Sequence, residues 1–129
     1  MIDYAAVDKV DIISHSMGVT LGRRIIKGGT VSSDNIDLGP SLTSKVDTFL
    51  GIAGGNWGLV ECFQDPLPAT CNSHNGFYPG YAMGPKGLSD YLDELNSDGT
   101  KEGSFVASMF STFDDVILYG DLVWGQYTS

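Results

Sequence analysis

Basic residues are scarce in this 129-residue chain: 7 Lys and Arg stand against 16 Asp and Glu, a formal net charge of −9. Nucleic-acid phosphates need Lys and Arg to displace their counterions, so a nucleic-acid partner is argued against. Electrostatic attachment to an anionic membrane is argued against on the same ground. Contact with neutral lipid stays open, because apolar area drives it. No run of about 18 uncharged apolar residues occurs, so no transmembrane helix is expected. Met1 is followed by Asp3 and Asp8, with no basic segment and no apolar core, so no signal peptide is read here, and any leader would precede Met1. There is no Asn-x-Ser/Thr glycosylation acceptor. Histidine and cysteine occur twice each. Only His74 lies near Cys62 and Cys71, whereas a structural zinc site wants four ligands, so no metal is expected there.

Apolar residues make up 42% of the chain and charged ones 18%, the balance of a globular protein with one core and one domain. Its organising stretch runs from Val10 to Gly22. An apolar run stops at Ser14-His15-Ser16-Met17-Gly18, and a helical period begins at once, which predicts strand, sharp turn and helix with Ser16 at the tip. A nucleophile elbow needs that layout, because the serine must sit on a strained turn with its hydroxyl clear of the sheet. The usual signature is G-x-S-x-G; Ser14 stands in for the first glycine. The backbone N–H of Met17, at the positive end of the helix, suits a developing oxyanion. An ordinary serine in a strand–helix turn is the competing reading.

Val10 to Gly22 resembles the elbow of the class 2 lipases, small α/β-hydrolase lipases with secreted animal relatives. Two further stretches resemble the same family in its order: Phe49-Leu50-Gly51-Ile52-Ala53-Gly54-Gly55-Asn56, a strand ending in a glycine pair, and Ser111-Thr112-Phe113-Asp114, the acid motif. Residues 57 to 104 match poorly and are longer than in the smallest members. The resemblance implies a serine carboxylic-ester hydrolase, most readily a lipase acting on acylglycerols or a small ester, with Ser16 as nucleophile and Asp114, rather than Asp115, as acid. That serine-hydrolase chemistry needs no metal or organic cofactor. Secretion of the full-length protein is expected chiefly from a disulfide between Cys62 and Cys71, in keeping with the family's secreted animal relatives. The fold expected is an incomplete α/β-hydrolase: a parallel sheet of Lys9–Ser14, Val46–Ala53 and Ser104–Phe110 with flanking helices.

Helices are read at Met17 to Lys27, with Met17, Leu21 and Ile25 as a buried face and Arg23, Arg24 and Lys27 suiting the C-terminal dipole, and at Gly87 to Asn96, with Ser89 on its polar face. Residues 30 to 44 read as loop. Asp11 inside the first strand is read as structural, its carboxylate hydrogen-bonded. Residues 56–85 form a long insertion without period, carrying Cys71, His74, Phe77, Tyr78, Tyr81 and Met83. A loop of that length is either functional, here a pocket wall or lid, or a surface loop folded over core. Cys62 and Cys71 flank eight residues within it and suit a disulfide, with two free thiols as the alternative.

A serine hydroxyl needs an adjacent base, usually a histidine oriented by a carboxylate, and α/β-hydrolases carry them in the order Ser, acid, His. No histidine follows Asp114. His15 adjoins Ser16 on a tight turn, where neighbours point apart, and the resemblance implies a packing role for it; His74 precedes the acid. The chain is therefore expected to be the middle of a longer hydrolase, inactive alone, with early strands, the second oxyanion donor, the last strand and the histidine outside it. A non-enzymatic remnant or lipid-binding fragment of the fold is the alternative.

Overall fold

A parallel three-strand sheet forms the centre of the computed structural model, which describes residues 2–65, 68–81, 87–117 and 121–129. In chain order the elements are α1 (Ile2–Ala5), β1 (Val10–His15), α2 (Met17–Lys27), β2 (Thr30–Val31), β3 (Ile36–Asp37), β4 (Val46–Ile52), α3 (Val60–Gln64), α4 (Asp90–Ser97), β5 (Phe105–Met109), β6 (Leu122–Val123) and β7 (Gln126–Tyr127). The sheet order is β1-β4-β5, with both neighbouring pairs parallel. The expected three-strand parallel α/β core is thus present, each strand within a residue or two of its expected ends. Asp11 occupies an irregularity between Val10 and Ile12, and its Oδ1 accepts the Thr48 N–H at 3.1 Å. A carboxylate inside a strand is tolerated here because it stands in for a ladder acceptor.

α2 has the expected bounds, but its buried face is not the expected one. Met17, Leu21 and Ile25 are 53%, 45% and 55% exposed. Val19 and Ile26 instead join Val46 and Phe49 in the core, with Ile12 against them. The spacing of an apolar stripe says that one exists, not which side of the helix meets the sheet; close backbone approach decides that. A Cβ at Gly51 would lie 2.9 Å from Val19 Cγ1, and one at Gly54 would lie 2.8 Å from the same methyl. Glycines in and beyond β4 let Val19 press into the sheet, which rolls the Met17 stripe outward.

The other buried side of α2 is polar, because its cations turn inward against anions from α4 and the following loop. Arg24 pairs with Glu94 at 2.8 Å, Arg23 with Glu102 at 2.8 Å, and Lys27 with Glu102 at 3.5 Å. Lys27 Nζ also donates to the carbonyls of Asp98 and Thr100. Charges can be buried only when paired in this way, so these residues do more than complement the helix dipole. α4 starts three residues later than expected. Ser89 is its buried N-cap rather than part of a polar face: its Oγ accepts the Leu92 N–H at 3.3 Å and donates to Gly76 O at 2.6 Å. Leu92 and Leu95 are fully buried.

Residues 30 to 44 hold the short antiparallel β2–β3 pair rather than loop alone. The Cys62–Cys71 disulfide is formed, and it ties α3 to the single turn at Ala69–Cys71. Positions 66–67 and 82–86 of the insertion, Met83 included, lie outside the described residues. At the far end, β6 and β7 form a hairpin through Trp124 (φ 49°) and Gly125 (φ 82°), the left-handed pair that a two-residue turn requires. Among the described residues no helix is long and apolar enough to cross a membrane.

Candidate active site

Ser16 is the single residue between β1 and α2, with φ 54° and ψ −131°. A non-glycine residue held there costs of order 1–3 kcal/mol and persists only where its surroundings enforce it. Two anchors enforce it. The Ser16 N–H donates to Ile52 O at 2.8 Å, which carries the β1–β4 ladder into the turn, and Ser16 O accepts the Val19 N–H at 2.9 Å. The Ser16 side chain makes no capping hydrogen bond to α2, although serine is a favoured N-cap. Met17 N–H, the first of the helix, has no intrahelical acceptor available to it.

Of the two small residues flanking Ser16, Ser14 lies at the close approach of strand and helix and Gly18 does not. A Cβ at Gly18 would meet nothing within 4 Å, whereas one at Gly22 would sit 2.9 Å from Ser14 Oγ. Strand and helix therefore approach each other at Ser14 and Gly22, and the glycine two residues after Ser16 is not needed for space.

Asp114 lies past β5. The Ser16 N–H to Ile52 O bond and the Ala53 N–H to Met109 O bond, both 2.8 Å, align the ends of the three strands. Ser16 and the segment bearing Asp114 therefore leave the sheet from one edge, with β4 between them, where ligands of parallel sheets bind. Asp114 Oδ1 accepts the N–H groups of Val116 at 2.8 Å and Ile117 at 2.7 Å. That fixes one carboxylate oxygen, and no donor among the described residues reaches Oδ2. Asp115 is exposed.

Neither histidine stands in a triad. His15 points from β1 on the side away from α2 and is exposed rather than packed. His74 has both ring nitrogens engaged: Nδ1 with Asp90 Oδ2 at 2.8 Å and Nε2 with Ser33 O at 2.5 Å. Its pKa is raised above 6.5, first by the Asp90 hydrogen bond and next by the Ser33 carbonyl. No cluster of His, Cys, Asp or Glu able to hold a metal ion occurs among the described residues.

Sequence reasoning missed Asp121. It is fully buried beside the chain end, where Ser129 Oγ donates to its Oδ1 at 2.8 Å. Burial chiefly raises its pKa, and the neighbouring Asp114 carboxylate adds to the rise. An acid in a run of apolar residues was the one signal available. Also missed was a groove of about 340 Å³ beside the turn, lined by Met17, Thr20, Leu21, Thr70, Phe77 and Tyr91 among others. Its walls come from separate segments, which no local pattern joins.

No curated protein and no solved structure matches the chain. The class 2 lipase family does, over residues 1–129, so the strand–turn–helix at Ser16 lies within a whole-length match and the chain belongs to that family of lipase- and esterase-type hydrolases.

Proposed function

We propose that the protein is a serine carboxylic-ester hydrolase acting on acylglycerols, with Ser16 as nucleophile and Asp114 as the acid of the triad. One observation carries the reading: in a chain of this family, Ser16 is held at φ 54° between strand and helix with its hydroxyl free of any cap bond. Ser16 Oγ would attack the ester carbonyl carbon while a base takes its proton. The oxyanion would accept from Met17 N–H, and collapse would expel the alcohol, protonated by the same base. Water would then add to the acyl-enzyme and release the fatty acid. Asp114 suits the acid role because two backbone N–H groups fix one carboxylate oxygen and leave the other for an imidazole. His15 and His74 do not suit the base, the one exposed on a sheet face and the other engaged at both nitrogens. We place the base, and the second oxyanion donor, outside these 129 residues.

The disulfide supports a secreted protein, since such bonds persist in oxidising compartments. Residues 56–65 and 68–81 of the insertion act in this reading as a pocket wall.

The test uses protein expressed from the complete open reading frame. A fluorophosphonate should label Ser16, and Ser16→Ala should abolish both the label and cleavage of a p-nitrophenyl ester. An unlabelled, inactive protein would favour the non-enzymatic reading, a lipid-binding relic of the fold. Activity surviving Ser16→Ala would overturn the assignment of the nucleophile.

A further inference from the structure

We propose that Asp121 works as a proton-operated clasp: protonated, it donates through Ser129 Oγ to Gly54 O and fastens the β6–β7 hairpin to the turn after β4; ionised, it takes the Ser129 hydroxyl for itself and leaves Gly54 O bare. The inference goes beyond the proposed function and does not rest on Ser16 as nucleophile. It starts from a count of hydrogens. Ser129 Oγ lies 2.8 Å from Asp121 Oδ1 and 3.2 Å from Gly54 O, and a serine hydroxyl has one proton to donate. Gly54 is buried, and no other donor among the described residues reaches its carbonyl. With Asp121 ionised, both neighbours of the hydroxyl are acceptors and one goes unbonded. With the proton on Oδ1, the acid donates to Ser129 Oγ and Ser129 donates to Gly54 O, while Oδ2 still accepts the Ser129 N–H at 3.3 Å. Only the neutral acid satisfies every group.

Burial favours the same state. Asp121 is fully enclosed and joins no ion pair among the described residues. An unpaired carboxylate in such a place keeps its proton rather than its charge. Burial first of all raises the Asp121 pKa above 3.8; the Ser129 hydroxyl and N–H pull it down, and the like charge of Asp114 pushes it up. The acid is therefore neutral below 3.8 in the folded and the unfolded chain alike, and the stability that the clasp contributes is lost as pH rises from there through the folded-state value. The clasp has a definite place. Thr128 N–H donates to Asp121 O at 3.0 Å, Asn56 N–H to Thr128 O at 2.6 Å and Trp57 N–H to Thr128 Oγ1 at 2.9 Å. Asp121 adds the bond nearest the end of β4 in the chain. Gly54 follows Ile52, whose carbonyl holds the Ser16 N–H, and Ala53, whose N–H holds Met109 O. The proton on Asp121 thus bears on the strand edge from which Ser16 leaves.

The experiment is a ¹³C NMR pH titration of the complete-frame protein that reads the Asp121 carboxyl, assigned with Asp121→Asn, and the Gly54 carbonyl. Both should move with one common midpoint above 3.8. Asparagine suits the left-handed backbone of Asp121, φ 68°, and its amide donates at every pH. Asp121→Asn should therefore hold the Gly54 signal at its low-pH position throughout. Ser129→Ala removes the relay alone: the Asp121 carboxyl should still titrate while the Gly54 carbonyl stays flat. Hydrogen exchange gives the size of the effect. Each pH unit between 3.8 and the folded-state pKa is worth up to about tenfold in local opening. Protection of the Thr128 N–H should fall by that factor across the titration in the wild type and stay level in Asp121→Asn. A midpoint at or below 3.8, or a Gly54 titration that survives either substitution, would overturn the clasp. Should a variant fail to fold, the wild type decides alone: a Gly54 carbonyl that does not move, or moves with a midpoint other than that of Asp121, refutes it.

Discussion

His74 Nδ1 lies 2.8 Å from Asp90 Oδ2, and its other ring nitrogen faces the Ser33 carbonyl. Both partners are acceptors, so only the doubly protonated imidazolium can donate to each; the neutral ring must forgo one bond. This contact ties the insertion to α4 and to the segment after β2.

The consequence is a pH dependence of definite sign. The folded-state pKa of His74 is raised above 6.5, so its contribution is complete below that value and is lost as pH rises through the folded-state value. Asp90, Asp34 and the Ser33 carbonyl are the groups that favour the charged form. Proteolysis within residues 72–77 should therefore quicken as pH rises from mildly acidic to mildly alkaline, and His74→Gln should flatten the trend. An NMR titration placing the His74 pKa at or below 6.5 would refute this.

Packing of α2 on β4 yields a second expectation. Gly54→Ala would put a Cβ 2.8 Å from Val19 Cγ1 and should cost about 1–3 kcal/mol by overpacking. Val19→Ala should recover part of that loss in a double-mutant cycle. Gly18→Ala, with nothing within 4 Å of the new methyl, should leave stability unchanged or raise it by up to about 1 kcal/mol through helix propensity. Thermal melts of the variants measure all three, and a Gly18→Ala loss larger than that of Gly54→Ala would contradict the geometry.

For the acid, Asp114→Asn in the complete-frame protein should lower turnover by about 10⁴, the size seen when the orienting carboxylate of a triad is neutralised. Its melting temperature should change little, since an Asn Oδ1 can still accept the Val116 and Ile117 N–H groups. Asp115→Asn should have much the smaller effect. A reversed order would move the acid to Asp115 and leave the rest of the hydrolase reading standing.

Opening the Cys62–Cys71 bond, whose ends lie nine positions apart, should destabilise the insertion by roughly 2–3 kcal/mol in the chain-entropy account. Cys62→Ala/Cys71→Ala double-variant melts, compared with the oxidised wild type, give that number. No difference between them would mean that the hydrogen bonds at Gly76, Phe77 and Asn75 hold the wall alone.

Local chemistry was enough to set much of this protein out in advance. The apolar run into Ser14-His15-Ser16 marked where β1 ends and α2 begins, because a change of period from two to 3.6 is written in consecutive residues. The cysteine spacing suited the disulfide. The same local signals could not say which stripe of α2 is buried. Val19, Gly51 and Gly54 lie more than thirty residues apart in part, and only their meeting turns Met17, Leu21 and Ile25 outward. Nor could they join Thr70 and Phe77 to Met17 as one groove, pair Arg23 and Lys27 with Glu102, or take His74 out of contention as a base by engaging both its nitrogens. Turns and periods are decided by neighbours in the chain and are legible there. Burial, ion pairing and cavities are decided by neighbours in space, which this chain assembles only when β1, β4 and β5 come together.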